Sequence, residues 1–150
     1  MGMNIKCFLL IPTDKTVERK GTYSDGSGSF TAYDPIYTRS DTGEELTLNQ
    51  APVGAIWENS WYYNEPSLKG WLGTDGRSFT IRTPGGDWCC DRKASNCTNP
   101  ADDVHKCWCR HGDAPVLTID KVGNTCGAGA GSILIGDYHG FLINGELTQC

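Results

Sequence analysis

A chain of 150 residues, 38% of them hydrophobic and 21% charged, is long enough to bury the core of one domain without covalent staples. The formal net charge of -5 and the scattered basic residues argue against a nucleic-acid partner, because a phosphate backbone attracts clustered lysine and arginine. No stretch approaches the ~20 apolar residues of a membrane span. The apolar run at residues 5–11 lacks the cleavage site of a signal peptide and is interpreted as a β-strand.

The turn-forming residues predict a mainly β protein. The chain contains 19 glycines and many two-residue turn signals, and no long stretch shows apolar residues at the helical period. We therefore predict a single compact domain over residues 1–150, built from antiparallel hairpins and a meander. Short helical turns are expected only at residues 14–20 and 99–104.

The first third of the chain predicts four short strands. Proline cannot donate to a β ladder, so Pro12 is expected to end the first strand and Pro35 to separate two others. The fourth strand follows an Asp-Thr-Gly turn. The predicted strands are residues 4–11, 30–33, 36–38 and 44–48.

The middle of the chain contains the densest aromatic segment. These aromatic residues either pack over a small β core, because each buries a large area, or line a groove for an extended peptide. They are Trp57, Trp61, Tyr62 and Tyr63. Further on, Asp75-Gly76 supplies the positive φ of a type I′ turn and predicts a hairpin between strands at residues 71–74 and 77–81.

Eight cysteines require an explanation. Nothing marks the chain as secreted, and a reducing compartment leaves thiols free or bound to metal. One extended segment would project four ligand-capable side chains to one face: His105, Cys107, Cys109 and His111. A single strand cannot wrap a tetrahedral zinc ion. We therefore predict a structural zinc site that combines two or three of these residues with one or two of Cys97, Cys126 and Cys150.

Other fates of the cysteines stay open at this point. Disulfides or free buried thiols would account for the even count, and a catalytic zinc would need an open coordination position. The adjacent Cys89 and Cys90 point to opposite faces of an extended strand and cannot easily chelate one ion together.

The closing residues predict a hairpin that brings a serine near a histidine. Gly136-Asp137 is a glycine-first two-residue loop, which suits a type II′ turn. That turn opposes Leu134 to His139 and Ser132 to Phe141, so all four side chains share one face. Ser132 and His139 are then diagonal neighbours, ~7–8 Å apart at the backbone, within reach of a hydrogen bond.

This pair has the composition of a serine hydrolase site. A serine is a poor nucleophile until a base such as histidine activates it. The glycine-rich run before Ser132 can aim the N–H groups of Gly129 and Gly131 at a developing oxyanion. The alternative interpretation is a glycine-rich bulge before a core strand, with His139 in a structural role. A third residue that orients His139 is not identified; the candidates are Asp113, Asp120 and Asp137.

Four segments resemble a family of short bacterial proteins that are found beside ubiquitin-like conjugation genes. That family is regarded as serine peptidases acting on ubiquitin-like proteins. It has a His-x-Cys-x-Cys-x-Cys stretch, then Ser-Ile, then a His-aromatic strand at the end of the chain. The matching segments here are APVGAIW at residues 51–57, HKCWCRH at 105–111, GSI at 131–133 and YHGFLINGEL at 138–147.

The resemblance implies Ser132 as nucleophile and His139 as base. It also implies that Cys107, Cys109 and His111 lie near a zinc ion. Together with Cys97, these three residues are the candidate ligand set. Three residues depart from the family pattern: His111 stands in place of a cysteine, Gly131 in place of a proline, and Gly140 in place of an aromatic residue.

We therefore expect a small zinc-stabilised Ser/His hydrolase. The resemblance implies that it is a peptidase, with a protein or peptide partner and a location in the cytoplasm of a bacterial host. The chain also resembles uncharacterised phage-encoded proteins. That resemblance implies an alternative function, a non-enzymatic virion or interaction protein whose cysteines only stabilise the fold.

Overall fold

The computed structural model describes residues 4–102, 104–123, 126–128 and 131–150. It is mainly β, with 45% strand and 8% helix, in antiparallel sheets, as the sequence predicts. Within these residues no helix combines the length and the apolar character that crossing a membrane requires.

Twelve strands and three short 3₁₀ helices are present in the described residues. The helices are Leu48–Gln50, Ser60–Tyr62 and Pro66–Trp71. The strands are β1 (Asn4–Lys6), β2 (Phe8–Thr22), β3 (Ser29–Arg39), β4 (Glu45–Thr47), β5 (Ala55–Glu58), β6 (Phe79–Thr83), β7 (Gly86–Cys89), β8 (Cys109–His111), β9 (Thr118–Asp120), β10 (Ile133–Ile135), β11 (Tyr138–Ile143) and β12 (Glu146–Gln149).

The chain divides into two compact units, and the first comprises Met1–Leu9 and Pro52–Cys150. One of its sheets has the strand order β1-β12-β11-β10. In another, the start of β2 pairs in parallel with β5, which continues antiparallel through β6 to β7. A small ribbon of β8 and β9 completes the unit.

The first unit has one main hydrophobic core. Its members come from both sheets and from β9, so the core joins elements that are distant in sequence. The fully buried residues include Ile56, Ile81, Leu117, Ile133, Leu142 and Leu147.

The second unit is Leu10–Ala51. It consists of the rest of β2 paired antiparallel with β3, whose other edge pairs with the short β4. Most side chains of β2 beyond Pro12 are exposed. The predicted single domain over residues 1–150 stays a prediction.

Both prolines of the second unit lie within strands, contrary to expectation. The β2–β3 pairing is irregular between Pro12 and Thr16, and a bulge is one of the places where a strand tolerates proline. Pro35 precedes the residues of β3 that pair with β4, so the strand is an edge at that point. The helical turn predicted at residues 14–20 is also wrong. These residues belong to β2, which pairs with β3 along this segment.

Two further expectations were wrong in part. The segment 99–104 contains a turn in its described residues, with the Asp102 N–H donating to the Asn99 carbonyl at 3.2 Å, and no helix. A turn forms near Asp75-Gly76 but not the predicted type I′ turn, because only Gly76 has a positive φ, 77°. The turn spans Gly73 to Gly76: the Gly76 N–H donates to the Gly73 carbonyl at 3.0 Å, and the Gly73 N–H donates to the Arg77 carbonyl at 2.7 Å. Residues 71–74 are not a strand, because the 3₁₀ helix ends at Trp71.

A buried ion pair attaches β8 to the β5–β7 sheet. The Arg110 guanidinium lies 3.2 Å from the Asp91 carboxylate, and both side chains are less than a tenth exposed. Arg110 also donates to Asp75 at 2.8 Å and lies over the Phe79 ring. Burial raises the pKa of Asp91, and the Arg110 charge opposes that rise.

Replacement of Arg110 by methionine should destabilise the protein severely. The change leaves the Asp91 carboxylate buried without its cation, so we expect a loss of about 3–5 kcal/mol in the free energy of unfolding. Arg77→Met is the matched control, since the Arg77–Glu58 pair is half exposed and should contribute at most about 1 kcal/mol. Urea denaturation measures both losses, and equal losses would contradict the assignment.

Candidate functional site

Four side chains from three separate segments meet in a Cys/His cluster, defined as Cys97, His105, Cys107 and Cys126. Their ligand atoms all lie within 4.8 Å of one another, and three of the four residues are buried. None of the eight cysteines, all within the described residues, forms a disulfide. The cluster can therefore hold a metal ion.

The distances within the cluster show how its donor atoms converge. Cys97 Sγ lies 3.0 Å from His105 Nε2, and Cys107 Sγ lies 3.9 Å from the same nitrogen. The sulfurs of Cys97 and Cys126 are 3.9 Å apart. Four soft or borderline donors at this spacing surround a point that one ion can occupy.

The His105 ring is oriented as metal-binding imidazoles usually are. Its Nε2 faces the sulfurs, whereas its Nδ1 is buried and has no hydrogen-bond partner in the described chain. One carboxylate oxygen, Asp102 Oδ2, lies 3.9 Å from Nδ1. A metal-bound histidine commonly passes its second N–H to a carboxylate, directly or through water. Asp102 is the residue placed to receive it.

The thiols of the cluster differ in acidity. The backbone N–H of Ala128 lies 3.5 Å from Cys126 Sγ and lowers the pKa of that thiol to about 6. Burial raises the pKa of Cys107 to about 11. Because the thiolate is the metal-binding form, Cys126 is the thiol already prepared for coordination.

Two lysines donate hydrogen bonds to backbone carbonyls around the cluster. Lys121 Nζ donates to the carbonyls of Cys107, Cys126 and Ala128. Lys93 Nζ donates to the carbonyls of Asp102 and His105. Lys121 thereby joins the segments that carry Cys107 and Cys126, and Lys93 holds the backbone at His105.

The cluster has the composition expected from the spacing, two residues of the 105–111 segment together with Cys97 and Cys126. Of the four ligands named as the candidate set, Cys97 and Cys107 lie in it, but Cys109 and His111 do not join them. The physical reason is that only Cys109–His111 is extended, as β8, whereas the chain before it bends and turns His105 and Cys107 toward the cluster. His111 instead bonds Asp120 across the β8–β9 ribbon at 2.8 Å.

The closing hairpin has the register predicted from its turn. Leu134 opposes His139, and Ile133 opposes Gly140. Gly136 has φ 55°, which a type II′ turn needs at its first position. Ser132 Oγ lies 2.9 Å from His139 Nε2, a hydrogen-bond distance. We call these two residues the Ser–His pair.

The Ser–His pair lies on the solvent-facing side of the hairpin. His139 is exposed and Ser132 is half-buried. No carboxylate hydrogen-bonds His139 in the described chain, so none of the three candidate aspartates completes a triad there. Asp120 is occupied by His111 and by the Val122 N–H at 2.9 Å.

The two glycines beside the pair are required by the backbone. Gly131 has φ 81°, which proline cannot adopt. A Cβ on Gly140 would lie 1.8 Å from the Thr148 carbonyl oxygen and 2.3 Å from the Tyr138 hydroxyl, so no larger residue fits. Both departures from the family pattern thus have local causes. Gly129, the other predicted oxyanion donor, lies outside the described residues.

The aromatic segment divides between core and surface. Trp57 is only 4% exposed and cannot line a groove, whereas Trp61 is 54% exposed. Tyr62 packs edge-on between Trp61 and Trp71. The Tyr63 hydroxyl donates to Glu58 at 2.6 Å.

Comparisons with protein-family models, curated proteins and solved structures return no match.

The ligand assignment makes a selective prediction. Cys126→Ser should remove most bound metal from the purified protein and lower its melting temperature, because a structural site needs all four ligands. Cys109→Ser is the matched control and should keep a full equivalent of metal. Elemental analysis of both variants measures the difference. Loss of metal from the Cys109 variant, with retention by the Cys126 variant, would restore the ligand set expected from the sequence.

Lys121 should matter to metal binding although it is not a ligand. Lys121→Met keeps the length of the side chain but leaves three carbonyls without their donor, so we expect metal affinity to fall by about 10-fold or more. Competition with a chromophoric chelator measures the affinity. Lys69→Met is the control, since Lys69 is exposed on the third 3₁₀ helix. An unchanged affinity in the Lys121 variant would refute its role.

Proposed function

We propose that this protein is a small zinc-stabilised serine hydrolase that acts on peptide bonds through Ser132 and His139. The observation that carries the proposal is the 2.9 Å contact between Ser132 Oγ and His139 Nε2 on an open face of the hairpin. Neither side chain is needed to fill the core, because His139 is exposed and Ser132 is half-buried.

The chemistry follows from the two atoms in contact. His139 accepts the Ser132 hydroxyl proton at Nε2 when its own ring proton is on Nδ1. Ser132 Oγ then bonds to the substrate carbonyl carbon, and the carbonyl electron pair moves to oxygen. His139 returns the proton to the leaving amine as the C–N bond breaks. Water, activated by the same histidine, releases the acyl group from Ser132.

The tetrahedral oxyanion requires donors beside Ser132. We assign them to backbone N–H groups of the glycine run, those of Gly129 and Gly131, since glycine permits the close approach of backbone to substrate. The exposed position of His139 means that the substrate itself must exclude water from the reacting atoms.

Zinc is the ion that suits the Cys/His cluster. With a Zn–S bond of about 2.3 Å, neighbouring ligands of a tetrahedral zinc lie about 3.8 Å apart. The 3.9 Å separations at Cys97–Cys126 and at Cys107–His105 are close to that spacing, whereas the 3.0 Å between Cys97 Sγ and His105 Nε2 is shorter and would widen around a bound ion. Three cysteines and one histidine close the coordination shell, so the ion would stabilise the fold and leave no position for a substrate. Elemental analysis of the purified protein identifies the ion.

A second function, peptide binding without catalysis, is favoured by one observation. In the described chain, no acidic side chain orients His139. A non-enzymatic interaction protein would use the same open face as a docking surface, with the zinc-stabilised fold as its scaffold. The alternative of a virion component belongs to this class.

A fluorophosphonate probe separates the two functions. The wild-type protein should be labelled at Ser132, and both Ser132→Ala and His139→Gln should lose at least about 100-fold in labelling rate, because the general base contributes that much. Mass spectrometry of the labelled peptide locates the adduct. Ser24→Ala, at an exposed turn of the second unit, is the control and should label normally. No labelling of a folded, zinc-loaded wild type would falsify the hydrolase.

A further inference from the structure

A groove runs along the outer face of the first unit beside the Ser–His pair. Its volume is about 480 Å³, and it is lined by residues 118–121 of the β9 segment, by Gly131, and by Phe141 and Ile143 of β11. Gly131 immediately precedes Ser132, and Phe141 follows Gly140, whose partner in the hairpin is Ile133, the residue after Ser132. One end of the groove therefore lies next to the proposed nucleophile. We call it the β9–β11 groove.

The exposed face of β11 leads from the histidine into this groove. Along β11, His139, Phe141 and Ile143 are exposed, while the residues between them are buried. Phe141 is 37% exposed and Ile143 is 49% exposed. Phe141 and Ile143 are two positions apart on one strand, so they project to the same face and form a short apolar strip beside His139.

The polar groups that line the groove already have partners within the chain. Asp120 accepts from His111 and from the Val122 N–H. Lys121 Nζ donates to three carbonyls near the Cys/His cluster. The Thr118 hydroxyl accepts the Asn144 N–H at 2.9 Å. A charged side chain entering the groove would lose its water without gaining a free partner, whereas an apolar side chain would gain from burial.

We infer that the β9–β11 groove binds the side chain of the substrate residue whose carbonyl Ser132 attacks, and that it selects an apolar side chain. The inference rests on the proposed hydrolase function, because it assigns the specificity of that same site. A cleft of this size falls within the range of ligand pockets and holds a branched or aromatic side chain. Seating such a side chain would also cover Phe141 and so exclude water beside the reacting pair.

The test uses three peptidyl diphenyl phosphonates that differ only in the residue bearing the phosphonate: a leucine, a lysine or an aspartate analogue. Ser132 Oγ displaces phenol from phosphorus, and His139 takes the serine proton, so the labelling rate reports how well each side chain seats. The leucine probe should react at least about 10-fold faster than either charged probe, the usual discrimination of an apolar pocket. Equal rates for all three would overturn the inference.

Two variants of Ile143 sharpen the result. Ile143→Asp places a carboxylate in the groove and should shift the preference toward the lysine probe by at least about 10-fold. Ile143→Thr keeps the branched shape suited to a strand and should reduce only the preference for leucine. Ile11→Asp is the control, since it makes the same change at a 44% exposed residue of the second unit that does not line the groove. Its probe preference should match the wild type.

The unsubstituted fluorophosphonate distinguishes the two ways of failing. If it labels the wild type and every Ile143 variant while the three phosphonates react equally, the hydrolase stands and the groove is not its specificity site. If it labels no protein at all, the hydrolase fails, and the groove as a substrate site fails with it.

Discussion

The meeting of four ligands in the Cys/His cluster is the constraint on which the middle of the first unit depends. Between β7 and β10, the described residues contain only β8 and β9 as regular structure. Leu117 and Ile119 anchor the β9 end of this segment in the main core, whereas the buried apolar residues described around the cluster are Cys107, Cys126 and Ala128, with a few half-buried neighbours. So small a local core contributes little to fixing the ligand-bearing loops, and a bound ion would add to their stability. The lysines then tie the ligand-bearing backbone together.

The cluster also restrains the position of Ser132, because Cys126 lies only six residues before it in the chain. Cys126 ends the cluster, and the chain soon afterwards enters β10 through Gly131 and Ser132. From the other side, the ladder of β10, β11 and β12 holds the hairpin in the sheet. Ser132 thus lies between the segment that carries Cys126 and a hydrogen-bonded strand. Its geometry relative to His139 depends on both.

Local patterns predicted the hairpin well and the cluster only in part. The register of β10 and β11 follows from a two-residue turn and strict alternation, and both are legible in consecutive residues. The ligand set is different, because it depends on where an extended segment begins. The alternating pattern of residues 105–111 suggested one strand, but tertiary contacts start β8 only at Cys109. For the same reason Pro12 and Pro35 failed as strand breaks, since pairing with a partner strand outweighs a single missing donor.

The register of β11 determines whether His139 is exposed beside Ser132 or buried in the core. Tyr138, Gly140 and Leu142 face the core, while the alternate residues, His139 among them, face solvent. A slip of one residue would bury His139 and expose Leu142. Two features prevent that slip. The Asn144-Gly145 turn has positive φ at both positions, as a type I′ hairpin requires, and it fixes the pairing with β12. At Gly140 the neighbouring strand approaches so closely that no side chain can take its place. Gly140, where the similar family has an aromatic residue, therefore helps to fix the register that leaves His139 exposed to solvent.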